Sequence, residues 1–445
     1  MKGLIRWLEK YFMPIASKVG EQRHLKALRD GILAMIPLLL IGSFFLIMAF
    51  PPIPVLADFV APYVDSLLTV VNATFNILAL IVAFSTAHSL ANSYKLDALA
   101  AGSFSVSVFL LATLTKSGGI NLDLLGSKGL FVAVILAFLV VEMQRMMIKK
   151  NIVINMPEGV PPAVARSFVA LIPGFFIVVL IWLINCILLR TTGLSMHGVI
   201  NQVVTIPLLS LGGNIFATLI AIFVGQVLWC FGLHGTALVD GIMRPIWMMF
   251  SQQNAVAKAA GETIPNIFSQ QFVETFILIG GAGTTLALAV LLVTTVKSKQ
   301  LKALGKLAIW PAIFNINEII IFGMPIVMNP IMWIPFILAP VICALITYFA
   351  LASGLVDRPY AYVPWTTPAL FSGFLVTGDW KASALQFVNF SVSAVLYYPF
   401  LKTLDNAKVR EEQGSETGEF DEINKISAGA IDSNAKETIT LGTTL

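Results

Sequence analysis

The sequence predicts an all-α polytopic membrane protein with about ten transmembrane helices. Of its 445 residues, 57% are hydrophobic and only 12% are charged, whereas a water-soluble domain carries about twice that share of charge. Apolar runs long enough to span a bilayer as helices recur along most of the chain. The net charge of +4 fits a membrane body that faces anionic lipid. No basic face interleaved with aromatic residues is present, so nucleic-acid binding is not expected.

The N-terminal part is predicted to be a regular helical bundle over residues 31–190. Residues 1–30 are amphipathic and too charged to span, which indicates a segment that lies in the membrane interface. No cleavable signal is expected, because the first apolar run is itself long enough to span. The predicted spans of this bundle cover residues 31–50, 68–90, 97–115, 129–148 and 167–189.

The C-terminal half, residues 191–404, is less regular. Four of its apolar runs predict ordinary spans, and four more are short or are interrupted by proline, glycine and amide residues. The polar residues 405–445 show no apolar periodicity and predict a disordered tail. The ordinary spans cover residues 214–233, 272–296, 331–352 and 383–402, and the irregular segments cover 197–212, 236–252, 307–325 and 360–376.

The distribution of lysine and arginine predicts the orientation in the membrane. By the positive-inside rule, the N-terminus, the basic loop after the fourth span and the lysine cluster at 297–306 are cytoplasmic. This orientation requires that either 197–212 or 236–252 also crosses, and the sequence leaves open which of them does. With re-entrant hairpins near 307–330 and 360–378, the chain crosses ten times and both termini are cytoplasmic.

Glu318 is the first candidate for a functional residue, since it is the only charged residue between Leu307 and Val356. Prolines, glycines and asparagines interrupt the apolar run around it, and Asn317 directly precedes it. Interrupted apolar segments point to the binding sites of transporters. A carboxylate within such a segment is a functional-site hypothesis by default. The alternative is a glutamate that caps a helix at the membrane surface.

A second group of candidates surrounds His234, which follows the apolar run 214–233 and directly precedes Gly235. Proteins bind sugars through carboxylates and amides that contact the hydroxyls, and through aromatic faces that contact the C–H surfaces. Trp229 and Trp365 are candidates for such aromatic platforms. A histidine at the end of a span and a tryptophan near an interface also occur as simple membrane anchors, and the sequence leaves this alternative open.

Asn72 and Asn76 lie one helical turn apart in the second predicted span, so that their amides share one face. A pore-lining role for Asn72 and a hydrogen bond between helices are both compatible with this spacing.

Several chemistries are absent from the sequence. There is no phosphate-binding GxxxxGK[ST] loop, no HExxH pair and no nucleophile elbow. Cys186, Cys230 and Cys343 have neither the spacing of a metal site nor that of a disulfide framework. We therefore expect neither a metal nor a cofactor.

Four motifs carry a resemblance to a known family: FGLHG at 231–235, DGIMRP at 240–245, INEIIIFGMPIVMNPIMWIPF at 316–336 and VPWTTP at 363–368. They resemble the membrane IIC components of the bacterial phosphotransferase system, in the lactose, cellobiose and N,N′-diacetylchitobiose branch. The resemblance extends over most of residues 1–404. Ile319 departs from the pattern, because relatives commonly have proline after the glutamate.

The resemblance implies an IIC-type permease of the phosphoenolpyruvate-dependent system that translocates a β-linked disaccharide of the cellobiose or diacetylchitobiose type. It implies that a IIB protein or domain phosphorylates a primary hydroxyl of the sugar from a phosphocysteine. Since only about forty polar residues follow the last predicted span, we expect IIB to be a separate protein. Glu318 and His234 would contact that hydroxyl, with Asn317, Trp229 and Trp365 near the sugar. Family members form homodimers through the N-terminal spans, in the bacterial inner membrane. An ion-coupled secondary sugar transporter is the alternative, since it would share the interrupted helices.

Overall fold

A computed structural model of the protein describes residues 22–51, 53–114, 119–154, 156–157, 160, 162–324, 326–327 and 329–441, with 54, 162–167, 211 and 414–441 described by their backbone alone. Within these residues the regular structure is helical, apart from an isolated β-bridge between Leu114 and Ile120. The predicted interfacial segment 1–30 lies outside the described residues as far as residue 21. The first membrane-crossing helix, Arg23–Ala49, begins before the predicted start at residue 31.

The N-terminal half is a helical bundle in which side chains cap two of the helix starts. Gln22 Oε1 accepts a hydrogen bond from the backbone of Leu25, and Asp97 Oδ1 accepts one from Ala100. The helices are α1 (Arg23–Leu33), α2 (Ile36–Ala49), α3 (Pro54–Val60), α4 (Val64–Phe75), α5 (Leu78–Ser93), α6 (Ala98–Ala112), α7 (Leu130–Lys149) and α8 (Pro162–Thr191).

Helix α5 lies at the centre of this bundle and packs against α1, α6 and α7. Ala79, Ala83, Ala87 and Ala91 recur every four residues along it and are fully buried. Residues four apart share one helix face, and small side chains on that face let neighbouring backbones approach closely. The alanine stripe therefore explains why α5 is the central helix.

The C-terminal half consists of shorter and more broken elements. Two segments, Asn201–Thr205 and Phe272–Ile277, are π-helical, a conformation that is frequent at functional sites. The α-helices are α9 (Met196–Ile200), α10 (Ile206–Gly212), α11 (Ile215–Cys230), α12 (Gly235–Ala259), α13 (Leu286–Thr294), α14 (Lys299–Ile313), α15 (Glu318–Gly323), α16 (Pro330–Ala352), α17 (Phe371–Thr377) and α18 (Trp380–Leu441).

Among the described residues, six helices are long and apolar enough to cross a membrane, and seven if Met196–Ser210 and Ile215–Cys230, bent by 70°, form one span. The all-α polytopic architecture is confirmed, but this number is lower than the predicted ten. The predicted span 97–115 is the shorter α6, and 272–296 is divided by a coil. The six helices are Arg23–Ala49, Val55–Ser93, Ser127–Lys149, Phe168–Thr191, Pro330–Ala352 and Trp380–Gln413.

Both segments predicted as hairpins reverse direction. Helices α14 and α15 are separated by a turn at residues 314–317. In the second segment, the backbone amides of Tyr360 and Ala361 donate to the carbonyl oxygen of Val376, over 2.8 and 3.2 Å. Re-entry of these hairpins into the bilayer stays a prediction.

The predicted start of the disordered tail at residue 405 falls within a helix. Helix α18 continues to Leu441, and Asp405 is fully buried. Asp405 Oδ1 accepts hydrogen bonds from the backbone amides of Lys297 (2.9 Å) and Ser298 (2.8 Å), and Glu412 Oε1 accepts one from Ser298 Oγ (2.6 Å). The free amides at a helix start favour carboxylates. These polar contacts attach α18 to the start of α14, and apolar periodicity does not reveal them.

Candidate functional site

A cavity of about 400 Å³ lies where the interrupted segment before α13 meets the tips of the two hairpins. Five of the seven residues that the sequence predicts for the site line this cavity. They are Glu318, His234, Asn317, Trp229 and Trp365. The structure therefore brings together residues that lie up to 136 positions apart in the chain, between Trp229 and Trp365.

The coil between the π-helical segment and α13 forms one wall and depends on glycine. Gly280 and Gly281 have backbone φ angles of +78° and +90°, a region that glycine adopts without steric penalty. A Cβ atom on Gly281 would lie only 2.6 Å from Cγ of Asn317. Glycine at this position therefore allows the coil to approach the hairpin that carries Asn317 and Glu318.

Two asparagines connect this coil to both hairpin tips. Asn315 Oδ1 accepts a hydrogen bond from the amide of Gly280 (2.7 Å), while its Nδ2 donates to the backbone carbonyls of Trp365 and Thr367. Asn317 Nδ2 donates to the carbonyl of Ala282 (2.6 Å) and to Thr285 Oγ1 (2.7 Å). Since its amide hydrogens are used in this way, the carbonyl oxygen of Asn317 is the atom that can accept a hydrogen bond from a ligand.

His234 is fixed by its position as the N-cap of α12. Its Nδ1 accepts a hydrogen bond from the amide of Ala237 over 3.2 Å. In a neutral imidazole that accepts at Nδ1, the proton is on Nε2, and this assignment follows from the hydrogen bond. The ring packs on that of Trp229, with the centroids 4.4 Å apart. His234 therefore provides an Nε2–H donor beside an aromatic face.

Glu318 is the first residue of α15 and is solvent-exposed. Among the described residues its carboxylate has no hydrogen-bond or ion-pair partner. Trp365 lines the same cavity and is 49% exposed. An unpaired carboxylate and a half-exposed indole are available to a polar ligand with apolar C–H faces.

Sequence reasoning missed a charged group in the wall of the cavity. Arg244 Nη2 lies 2.8 Å from both Asp240 Oδ2 and Glu274 Oε1, and Gln270 Nε2 donates to the same oxygen of Glu274 (2.9 Å). The side chain of Glu274 is only 7% exposed. Asp240 and Arg244 are four residues apart, so their pairing is readable from the sequence. Glu274, the third residue of this group, comes from a distant segment, so its partner cannot be read from the sequence. The only signal is that a carboxylate in an apolar run requires a partner.

Two predicted site residues do not line the cavity. Asn72 is exposed on α4 in the N-terminal half and is not part of the cavity lining. Gly235 is buried against α11, where a Cβ atom would lie 1.8 Å from the carbonyl oxygen of Gly225. Its small size allows α11 and α12 to pack closely, which is a structural role.

Comparison with known proteins assigns the chain to a family. The family profile described as "Phosphotransferase system, EIIC" matches residues 29–340. The chain belongs to this family. It is 48% identical over 453 residues to the PTS system cellobiose-specific EIIC component of Geobacillus stearothermophilus, covering 97% of this chain and 99% of that protein. It is 47% identical over 430 residues to the lichenan permease IIC component of Bacillus subtilis (strain 168), covering 92% and 95% of the two chains.

The fold is also shared with a solved EIIC structure. The chain superimposes with a TM-score of 0.88, at 47% sequence identity, on the crystal structure of the transporter ChbC, the IIC component of the N,N′-diacetylchitobiose-specific phosphotransferase system. The match covers 92% of this chain and 99% of ChbC. The family resemblance inferred from the four motifs is therefore confirmed, and nothing in these comparisons favours the ion-coupled alternative.

Proposed function

We propose that the chain is the sugar permease of a phosphoenolpyruvate-dependent phosphotransferase system and that it translocates a β-linked disaccharide of the cellobiose or diacetylchitobiose type. The cavity that holds Glu318, His234, Asn317 and two tryptophans carries this proposal. A volume of about 400 Å³ lies within the range of small-molecule sites. EIIC relatives named for cellobiose and for N,N′-diacetylchitobiose support this substrate class.

Each lining residue has a role suited to a sugar. The carboxylate of Glu318 accepts a hydrogen bond from the primary hydroxyl, and His234 donates to the same oxygen through Nε2. The carbonyl oxygen of Asn317 accepts from a second hydroxyl, and the exposed ring of Trp365 packs on a C–H face. Because Arg244 binds Asp240 through Oδ2 alone, the other carboxylate oxygen of Asp240 remains as an acceptor for a hydroxyl in the wall.

The phosphorylation step needs few groups from the permease. The donor is a phosphocysteine on a separate IIB protein. The hydroxyl oxygen of the sugar forms a bond to phosphorus, the phosphorus–sulfur bond breaks, and the cysteine leaves as a thiolate. The hydroxyl proton passes to the carboxylate of Glu318. Phosphoryl transfer asks a protein mainly for alignment and charge stabilisation, and the fixed hydrogen bonds around Asn315 and Asn317 supply alignment.

The remaining parts of the proposal concern assembly. We place the protein in the bacterial inner membrane, with both termini cytoplasmic, as a homodimer that assembles through the N-terminal spans. Lipid surrounds the spans, and the IIB protein approaches from the cytoplasm.

The test uses the purified protein in proteoliposomes loaded with a phosphorylated IIB protein. We expect external cellobiose to accumulate inside as the phosphosugar, and to do so only when IIB is phosphorylated. Liposomes with unphosphorylated IIB, and with an imposed proton or sodium gradient, are the controls. Accumulation of unmodified cellobiose driven by a gradient would contradict the proposal and restore the ion-coupled alternative.

A further inference from the structure

The cavity contains a cation that the proposed sugar contacts do not use. Arg29 lines the cavity from α1, together with Leu33. Among the described residues, the other parts of the lining come from positions 229–365 in the C-terminal half. A charged side chain from the N-terminal half therefore faces the groups that hold the sugar.

The guanidinium of Arg29 is only weakly engaged. Its Nε and Nη2 lie 3.4 and 3.3 Å from Oδ1 of the adjacent Asp30, and the two side chains are 39% and 35% exposed. An ion pair that is exposed to this degree stabilises the position of the guanidinium only slightly. Asp30 also accepts a hydrogen bond from Ser89 Oγ (2.9 Å) through its other oxygen. Arg29 thus keeps most of its five N–H donors available.

The charges of the lining explain why a further cation is needed. Asp240, Glu274 and Glu318 bring three carboxylates to the cavity wall, and Arg244 is occupied by the first two. A neutral sugar is not repelled by these carboxylates, because it carries no net charge. A phosphoryl group carries about −1.5 to −2 charges near neutral pH, and it would be repelled by the Glu318 carboxylate if no cation faced it.

We propose that Arg29 binds the phosphoryl group during its transfer to the sugar and on the phosphosugar product. The planar guanidinium matches two phosphate oxygens at once, which an ammonium group does not. The inference rests on the proposed function and adds a residue to it. Because Arg29 comes from the N-terminal half, the site has its phosphate-binding cation only when both halves face each other.

The test compares Arg29→Gln and Arg29→Lys with the wild type, with Arg23→Gln as a matched control. Arg23 lies on the same helix, and its guanidinium stacks 5.1 Å above the ring of Tyr94, outside the cavity. Calorimetry on detergent-purified protein gives the affinities for cellobiose and for cellobiose 6′-phosphate. Phosphorylated IIB and radiolabelled phosphate give the transfer rate.

For Arg29→Gln we expect cellobiose affinity within about twofold of the wild type, and a loss of cellobiose 6′-phosphate affinity of about ten- to a hundredfold. The transfer rate should fall at least about tenfold. Arg29→Lys should restore part of the phosphosugar affinity, because it keeps the charge but not the two-point geometry. Arg23→Gln should resemble the wild type in all three measurements.

Two results would overturn the inference while leaving the proposed function standing. One is an Arg29→Gln protein that binds cellobiose 6′-phosphate and transfers phosphate like the wild type. The other is an equal loss of affinity for sugar and phosphosugar, which indicates a structural role for Arg29. A wild-type protein that binds neither ligand, or binds cellobiose without any transfer, would instead overturn the proposed function and the inference with it.

Discussion

At the scale of single residues, the site contains polar side chains whose hydrogen bonds are made within the protein and a few polar groups that have no such partner. Asn315 donates its amide hydrogens to the backbone at residues 365–367, and Asn317 donates its own to the Ala282 carbonyl and to Thr285 Oγ1. His234 uses Nδ1 to cap its own helix. Glu318 has no such partner among the described residues. The residues that hold the cavity in shape are therefore distinct from the carboxylate that is free to engage a ligand.

This division predicts the effect of replacing Glu318. Glu318→Gln keeps the shape of the side chain and removes its charge. A hydrogen bond to a charged group contributes about 1.5–3 kcal/mol, so cellobiose affinity should fall by about ten- to a hundredfold. Phosphoryl transfer should fall further, because the amide cannot take the hydroxyl proton. Binding isotherms and transfer rates, measured on protein of equal folding quality, check both effects.

Glu262→Gln is the control for this substitution, since Glu262 is an exposed carboxylate outside the cavity. Its affinity for cellobiose should equal that of the wild type. Unchanged affinity in Glu318→Gln would show that the sugar lies elsewhere and that Glu318 has a structural role.

At the scale of elements, the sequence predicts where helices break but not how the broken ends meet. Prolines, glycines and asparagines indicate both hairpins, because these residues do not continue an apolar helix. The contact between the hairpin tips joins Asn315 to the backbone at Trp365, which is 50 residues away. No local pattern encodes such a pairing. The same holds for Glu274, whose partner Arg244 is 30 residues away.

The attachment of α18 to α14 leads to a prediction for the C-terminal segment. A chain that ends after Gln413 should fold and bind cellobiose like the full chain, because it keeps both carboxylates that contact the start of α14. A chain that ends after Asn406 loses Glu412 and its hydrogen bonds to Ser298 and Gln300. It should therefore unfold at a lower temperature, as measured by size-exclusion chromatography after heating.

Asp405→Asn tests the same attachment without truncation. The substitution weakens hydrogen bonds from the amides of Lys297 and Ser298 to a buried carboxylate, which should cost about 1–3 kcal/mol of stability. Glu411→Gln, which alters an exposed pair with Lys408, is the control.

Equal melting temperatures of the Asn406 truncation and the full chain would mean that the contacts of Glu412 with the start of α14 add nothing to stability.

At the scale of the whole molecule, the amino-acid composition is sufficient to predict a polytopic membrane protein. The number of spans is harder to predict from hydropathy. A helix such as α12 is buried against protein and carries polar residues, so hydropathy does not identify it. Gln252 is fully buried on this helix and donates to the carbonyl of Phe75, at the end of α4, over 2.6 Å. Polar side chains of this kind connect the two halves and lower the apolar content of the helices that carry them.

Two groups of side-chain contacts bear on the orientation test. His24, at the start of α1, lies 3.2 Å from Glu142 in the second half of α7. The ammonium of Lys258 lies 5.4 Å from the ring of Phe50, where the first crossing ends, and 4.8 Å from the ring of Tyr360. The basic residues around His24 and the end of α7 predict that this side is cytoplasmic.

Cysteine labelling tests this orientation. In a background with alanine at the three native cysteines, Ala303→Cys beside Lys302 and Ile152→Cys after α7 should react only with a reagent supplied from the cytoplasm. Leu355→Cys, which follows α16 and is 64% exposed in the wild type, should react only from outside. The reason is that α16 crosses once between Lys302 and Leu355. Reaction of Ala303→Cys from outside would remove one crossing before the lysine cluster, and the ten-span arrangement with two cytoplasmic termini would be wrong.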